Sequence, residues 1–481
     1  MRNVRSFASL RMTSKRVAVI VLASAVMLIA AGLRLREIRR WSLNNDEIAE
    51  VRWSSKSFSG MMQEVRRDAV HPPLDYVLQF VMGRLGGPEW LRRLPPVLFG
   101  IGTVALIMIL ARLWFGTGAG IAAGFFAALA PMHIRYSQEV RPYSMALFFV
   151  CAALLALELY AMRRQRRWAI AWFVLVFLSG FTLYFAGMVA GATSVFRIFV
   201  ARRDALTLLW KRLPLIVLAW TVLYAPWLFV VIRLANEKPP QPPDTLDWPW
   251  WQLRVQTFAA GDWRFEPVTL GSWAFWICVA MGAIAAIRFK PLRIALFWFA
   301  AGTALEILVL QLRPHYSTPR YLMASWPGAF ILAGAAIAWL MRSAPGRAAV
   351  PFILLLFAGH AALTLHVYYS GERSDWRGIA EYVYSRVKAG DNVMMANNWV
   401  QRNFGYYWAH LPARYDVGLI RYEQAYVDWP GPLWIVTGQC QPRQPLKGAG
   451  VMERWPMSEE AEVVYVRPGQ KVSMKEELCP E

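Results

Sequence analysis

Charge is scarce in this chain. Asp, Glu, Lys and Arg make up only 17% of its residues, and the acidic ones are rarer still, 31 against 52 basic. A soluble chain of 481 residues carries more charge; here 57% of residues are hydrophobic and mean hydropathy is +0.32. Cysteine is also short, at four residues, which excludes a disulfide-stapled scaffold. No internal repeat or low-complexity tract occurs, so the pseudo-symmetric halves of many transporters are missing. The HxxxH and DxD spacings that announce metal ligands do not accompany the acidic clusters.

What is present instead is a series of long apolar runs. They cover residues 17–33, 94–113, 119–132, 143–162, 168–184, 186–200, 213–232, 271–287, 294–312, 321–341 and 350–366. Most approach the ~20 residues that a helix needs to cross hydrocarbon. Run 119–132 is short and carries two glycines, so it reads as tilted, kinked or re-entrant. The class is a polytopic α-helical membrane protein with about eleven crossings.

The net charge of +21 does not point to nucleic acid, because Lys and Arg gather at alternate loops. They mark the N-terminus (Arg2, Arg5, Arg11, Lys15, Arg16), Arg163 to Arg167, Arg202 to Arg212, Arg288 to Arg293, and Arg342 with Arg347. All fall on one side, as expected for the cytoplasm. The N-terminus is therefore cytoplasmic, and the first apolar run is a retained signal-anchor rather than a cleaved leader, despite Ala30-Ala31-Gly32. The long loop 34–93 is basic but external, facing anionic headgroups or a phosphate ligand.

Two regions follow: a membrane part, 1–367, with external loop 34–93, and a mixed part, 368–481. In the first, His71-Pro72-Pro73 precedes a segment, 74–81, read as an interfacial helix. A second external segment, 236–270, is rich in Pro and Trp. Most of its tryptophans are expected to anchor it at the interface, leaving one or two to stack on a sugar ring or lipid chain. In the second region, helical periodicity at 376–383 and strands at 391–396 and 433–437 indicate a small extracytoplasmic α/β domain. Cys151 and Cys278 read as packing residues; Cys440 and Cys479 lie outside the membrane, and spacing leaves open whether they pair.

Three polar clusters lie at apolar edges on the external side. Asp46-Glu47 follows the first run. It reads either as the N-terminus of a short helix capped by Asn45 or Asp46, or as a general base held near the membrane. Tyr136-Ser137-Gln138-Glu139-Val140-Arg141-Pro142-Tyr143 joins the third and fourth runs. Glu139 and Arg141 either pair with each other, or Arg141 offers its fork to a phosphate while Glu139 orients an acceptor or, with Asp46, ligates a divalent cation. Arg313-Pro314-His315-Tyr316-Ser317-Thr318-Pro319-Arg320-Tyr321 supplies further cations. They are either headgroup anchors or stabilisers of a leaving phosphate.

The order Asp-Glu, His-Pro-Pro-Leu, Tyr-Ser-Gln-Glu-x-Arg-Pro-Tyr and a late Arg-Tyr resembles the bacterial branch of the dolichyl-phosphate-mannose protein mannosyltransferase superfamily. Relatives include the lipid A aminoarabinose transferases, and the fold is the C-type glycosyltransferase fold (GT-C). Asp375-Trp376-Arg377 and Gly390-Asp391 are similar to the start of that family's extracytoplasmic domain. The resemblance implies a bacterial inner-membrane enzyme that moves a sugar from a polyprenyl-phosphate donor to a lipid, glycan or protein acceptor on the periplasmic face. It matches Asp46 to the base, Glu47 to its partner and Glu139 to the second acidic position. Arg141, Arg313, His315, Arg320 and Tyr321 fall in the donor-phosphate region, and His71, Tyr136, Tyr143 and Tyr184 in the cavity. Leu183 stands where relatives often carry His, so no role transfers to it. The alternative is a lipid or sugar transporter or flippase, for which Glu158 and Glu306 inside apolar runs are the only sequence support.

Overall fold

The computed structural model describes residues 2–201, 206–237, 248, 250–252, 254–255, 270–312, 319–370, 375–395, 397–413, 416–420, 432–438, 454–458 and 461–466. Two compact units emerge, Met1–Ile38 with Trp53–Leu365, and Arg39–Arg52 with His366–Glu481.

The first unit is helical. In chain order come α1 (Arg2–Leu35), then α2 (Asn45–Ser54), which runs across the boundary between the units, α3 (Phe58–Asp68), α4 (Leu74–Arg84), α5 (Glu89–Arg92) and α6 (Leu94–Phe115). They are followed by α7 (Thr117–Leu129), α8 (Pro131–Ser137), α9 (Tyr143–Arg163), α10 (Arg166–Thr182), α11 (Tyr184–Val200) and α12 (Thr207–Glu237). After them come α13 (Leu270–Ala285), α14 (Lys290–Leu312), a 3-10 turn (Pro319–Ser325), α15 (Trp326–Leu340) and α16 (Ala344–Ser370). Each of the eleven apolar runs lies largely within these helices. Among the described residues, seven helices are long and apolar enough to span a bilayer, or eight if the bent pair α7–α8 counts as one span. The chain is a multi-pass membrane protein.

The bend of 64° between α7 and α8 has a local cause. Pro131 opens α8 and holds Ala130 extended (φ −62°, ψ 113°), which stops the preceding helix. At the centre lies α15, buried at every residue from Trp326 to Ile337. It packs on α6, α7, α13 and α14. Gly334 permits this approach, because a Cβ there would meet Ala119 O at 2.6 Å. Cys151 and Cys278 are buried free thiols; Cys440 and Cys479 lie outside the described residues.

Both carboxylates within apolar helices are bound by arginine. Arg197 donates to Glu158 at 2.6 and 2.8 Å, and Arg254 donates to Glu306 at 3.0 and 3.4 Å. The Arg254 guanidinium also lies 3.3 Å from the Trp250 ring centroid. That buried tryptophan therefore packs on a cation inside the protein.

The second unit holds α17 (Trp376–Arg386), α18 (Asn398–Trp408) and strands β1 (Asn392–Met395), β2 (Gly418–Ile420), β3 (Leu433–Gly438), β4 (Arg454–Ser458) and β5 (Ala461–Val466). Sheet order is β2-β1-β3-β5-β4. The pairs β1–β2 and β1–β3 are parallel, and β3–β5 and β4–β5 antiparallel. Asp391 fixes the start of β1 against β3: its Oδ2 accepts from Lys388 N and from Trp434 Nε1, each at 3.0 Å. The preceding Gly390 adopts φ +85°, which accounts for that glycine.

Candidate active site

The acidic pair is built into the second unit. Leu43 N donates to Tyr407 Oη at 2.6 Å, Trp376 N to Ser42 Oγ at 3.1 Å, and Arg40 to Tyr369 O at 3.4 Å. Residues 39–44 are thus strapped to α17, α18 and the end of α16. They deliver the chain into α2 with Asp46 and Glu47 in its first turn. The cap is Asn44, one residue before Asn45 and two before Asp46, the candidates named from the sequence. Asn44 Oδ1 accepts from Glu47 N at 2.9 Å, and Glu47 Oε2 accepts from Asn44 N at 3.0 Å. This is a reciprocal capping box, so the buried Glu47 carboxylate has a structural task. Asp46 takes no part in the box and sits where the helix dipole favours negative charge.

In the first unit, the segment around Glu139 is held by two reciprocal caps. Gln138 Nε2 donates to Arg34 O at 3.0 Å and to Arg36 O at 2.7 Å, closing the C-terminus of α1. In return the buried Arg34 donates to Ala127 O at 3.2 Å and Ala128 O at 3.1 Å, closing the C-terminus of α7. It also reaches His133 Nδ1 at 2.9 Å and Ser137 Oγ at 3.2 Å. Arg34 therefore belongs to a helix end inside the bundle, not to an external basic loop. Arg93 is likewise buried and donates to Ile38 O at 3.3 Å.

Glu139 Oε1 accepts from Arg135 Nε at 3.1 Å, because α8 places Arg135 one turn earlier on the same face. Arg141 donates from Nη2 to His71 Nε2 at 2.5 Å. His71 is buried in the turn between α3 and α4. Since its Nε2 accepts, the ring is neutral with its proton on Nδ1. Burial, then the charges of Arg141 and Arg320, hold it well below the usual histidine range. Its Nδ1 is buried with no hydrogen-bond partner among the described residues.

Tyr143, at the first turn of α9, is the hub of the cluster. Its ring packs edge-on against His71 at 5.9 Å and Tyr136 at 4.7 Å. The guanidiniums of Arg320 and Arg141 lie 5.9 and 6.0 Å from its centroid. Its hydroxyl is buried and lacks a partner among the described residues. Tyr321 stacks on Phe185 at 5.8 Å. Tyr184 donates to Ala69 O at 2.9 Å and accepts from Trp227 Nε1 at 3.0 Å. It thereby pins the loop that carries His71, where Ala69 sits in the left-handed region at φ 45°.

The first unit thus assembles His71, Tyr136, Arg141, Tyr143 and Arg320, with Glu139 held alongside by Arg135. Arg313 and His315 lie outside the described residues. The sequence reading did not single out Arg34, Arg135 or Gln138. The four spacing from Arg135 to Glu139 was the available signal; the other two act on backbone carbonyls and leave no sequence pattern. Among the described residues, no group of three or more His, Cys, Asp or Glu side chains is placed to hold a metal ion. Two guanidiniums and an imidazole gather around the Tyr143 ring, donors of the type that suits a negatively charged oxygen ligand.

Residues 70–229 match the family model described as dolichyl-phosphate-mannose-protein mannosyltransferase. No curated protein matches the chain. Among solved structures, ArnT from Cupriavidus metallidurans in the apo state is 16% identical, with a TM-score of 0.55 over 95% of this chain and 98% of that one. The same protein bound to undecaprenyl phosphate is 17% identical, with a TM-score of 0.54 over 98% and 100%. The archaeal oligosaccharyltransferase AglB from Archaeoglobus fulgidus, in complex with an inhibitory peptide and a dolichol-phosphate, is 12% identical. Its TM-score is 0.52, over 81% of this chain and 64% of that one. The chain has the GT-C membrane fold, and the resemblance read from its motifs is borne out.

Proposed function

We propose that this protein is a membrane glycosyltransferase that moves a sugar from a polyprenyl-phosphate donor to an acceptor at the periplasmic face. The observation that carries the reading is the cluster of Arg141, Arg320 and His71 around Tyr143. Such a set matches the task of a transferase whose leaving group is a phosphate diester turning into a monoester. The reading is supported by the fold shared with ArnT and AglB, which have been captured with undecaprenyl phosphate and dolichol-phosphate.

In this reaction an acceptor hydroxyl or amine attacks the anomeric carbon with inversion. The new bond forms as the bond from that carbon to the phosphate oxygen breaks, and the electron pair leaves on the polyprenyl phosphate. Arg141 and Arg320 stabilise the added negative charge, while His71 and Tyr143 donate to phosphate oxygens. Asp46 takes the proton of the attacking group, and Glu139 orients the acceptor. Glu47 keeps the turn that presents Asp46. The transporter reading loses its support, since Glu158 and Glu306 are each held by an arginine.

The test is transfer of labelled sugar from polyprenyl-phosphate donors to membrane acceptor fractions by the purified full-length chain. Asp46→Asn is expected to lose about 10²-fold or more in turnover. Equal turnover in a folded D46N protein would remove Asp46 from the role of base. Retained donor binding in a folded R141Q/R320Q variant would remove the phosphate site.

A further inference from the structure

A cavity of about 810 Å³ opens in the first unit where the C-terminal ends of α6 and α15 meet the turn between α13 and α14. Its walls are apolar and include Trp114, Phe289, Leu292 and Trp339. Two cations line it: Arg288 in the turn and Arg342 just past α15. Both are exposed, and among the described residues neither side chain has a hydrogen bond or ion pair. The turn does not need them. Arg293 closes it by donating to Ala286 O at 3.0 Å and Ile287 O at 2.6 Å.

The cavity is far from the oxyanion cluster. Arg320 stands at the start, and Arg342 two residues past the end, of one apolar span, Pro319–Leu340, of 22 residues. At ~1.5 Å per helical residue its length is about that of the bilayer's hydrocarbon core. One arginine therefore marks each membrane face, and Arg342 marks the face carrying the basic turns.

We infer that this cavity holds an anionic phospholipid of the leaflet on that basic face, with its phosphate between Arg288 and Arg342. Its acyl chains lie along Trp114, Phe289 and Trp339. Two guanidiniums without partners complement a phosphodiester, and basic pockets between membrane helices on this side suit anionic headgroups. A soluble phosphate would satisfy the arginines but leave the apolar walls wet. A zwitterionic lipid would cover the walls but bring a cation of its own to two arginines.

The full-length protein in detergent is titrated with phosphatidylglycerol, with phosphatidylcholine of the same chains, and with inorganic phosphate, while retained lipid is followed by native mass spectrometry and Tm. Phosphatidylglycerol is expected to bind and raise Tm. R288Q/R342Q, altered only at exposed side chains, is expected to lose about tenfold or more in apparent affinity for it. Ala338→Trp, which narrows the cavity and keeps both charges, is expected to weaken lipid binding as well. Equal phosphatidylglycerol affinity in wild type and R288Q/R342Q would overturn the site. So would an equal Tm rise with inorganic phosphate or with phosphatidylcholine.

Discussion

Arg141 donates to His71 Nε2 across 2.5 Å, joining residues from two distant loops and fixing the charge on the ring. Protonating Nε2 would place two donors face to face, so the contact exists only while the imidazole is neutral.

Stability should therefore fall on acidification. In the unfolded chain His71 takes a proton near its ordinary pKa of about 6.5, whereas in the folded chain the value is lowered. The stabilisation from neutral His71 is complete above that ordinary pKa. It declines as pH falls toward the folded value, by at most ~1.4 kcal/mol per pH unit. Thermal unfolding from pH 7.5 to 5 should show this slope in wild type, and His71→Gln should lack that increment.

The capping box separates two roles of Glu47. Asn44→Ala should cost about 1 kcal/mol and speed hydrogen exchange in residues 45–54. Glu47→Gln preserves the box, since glutamine also serves at that position. It should leave Tm and exchange unchanged, so any loss of transfer in this variant reports on its charge.

Tyr184 should act on His71 through the loop it pins. Tyr184→Phe removes the hydrogen bond to Ala69 O and should cost about 1 kcal/mol. Ala69→Gly relieves a left-handed alanine, worth about 1 kcal/mol, and should recover most of that loss in the double variant. Donor KM is the second readout: it should rise in Y184F and stay raised in the double variant, because glycine does not restore the anchor.

Breaking the Arg254–Glu306 pair should be severe, because both side chains are buried. Glu306→Gln should cost about 3–5 kcal/mol, whereas R254M/E306L should be close to neutral. Chemical denaturation in mixed micelles distinguishes the two.

Much of the architecture was legible because apolar run length is a direct membrane signal. Each of the eleven runs proved largely helical, and the kink expected in run 119–132 is there, at Pro131 rather than at either of its glycines. Within the site, short-range relations were readable, though easily misassigned. Asn44-x-x-Glu47 has the spacing of a capping box, yet Asn45 beside it drew the assignment one residue late. For Glu139 the sequence offered Arg141, two residues away, as one possible partner and left Arg135 unnoticed, because 136–143 read as a loop. Because α8 continues through Ser137, Arg135 also comes within reach of Glu139. Contacts such as Arg141 with His71, or Gln138 with the end of α1, join residues 70 or more positions apart. They depend on how helices pack, which no local pattern encodes.

The burial of α15 on every side constrains how this protein can change length. An inserted or deleted residue between Trp326 and Leu340 would rotate everything beyond it by about 100° and shift it by ~1.5 Å. A helix with an exposed face absorbs such a slip by turning that face to lipid; this one has none from Trp326 to Ile337. Substitutions here can be traded against neighbours in α7 and α13, but changes in register cannot. Length variation should therefore be confined to the connections, and this segment should behave as a gauge that keeps Arg320 and Arg342 a constant distance apart.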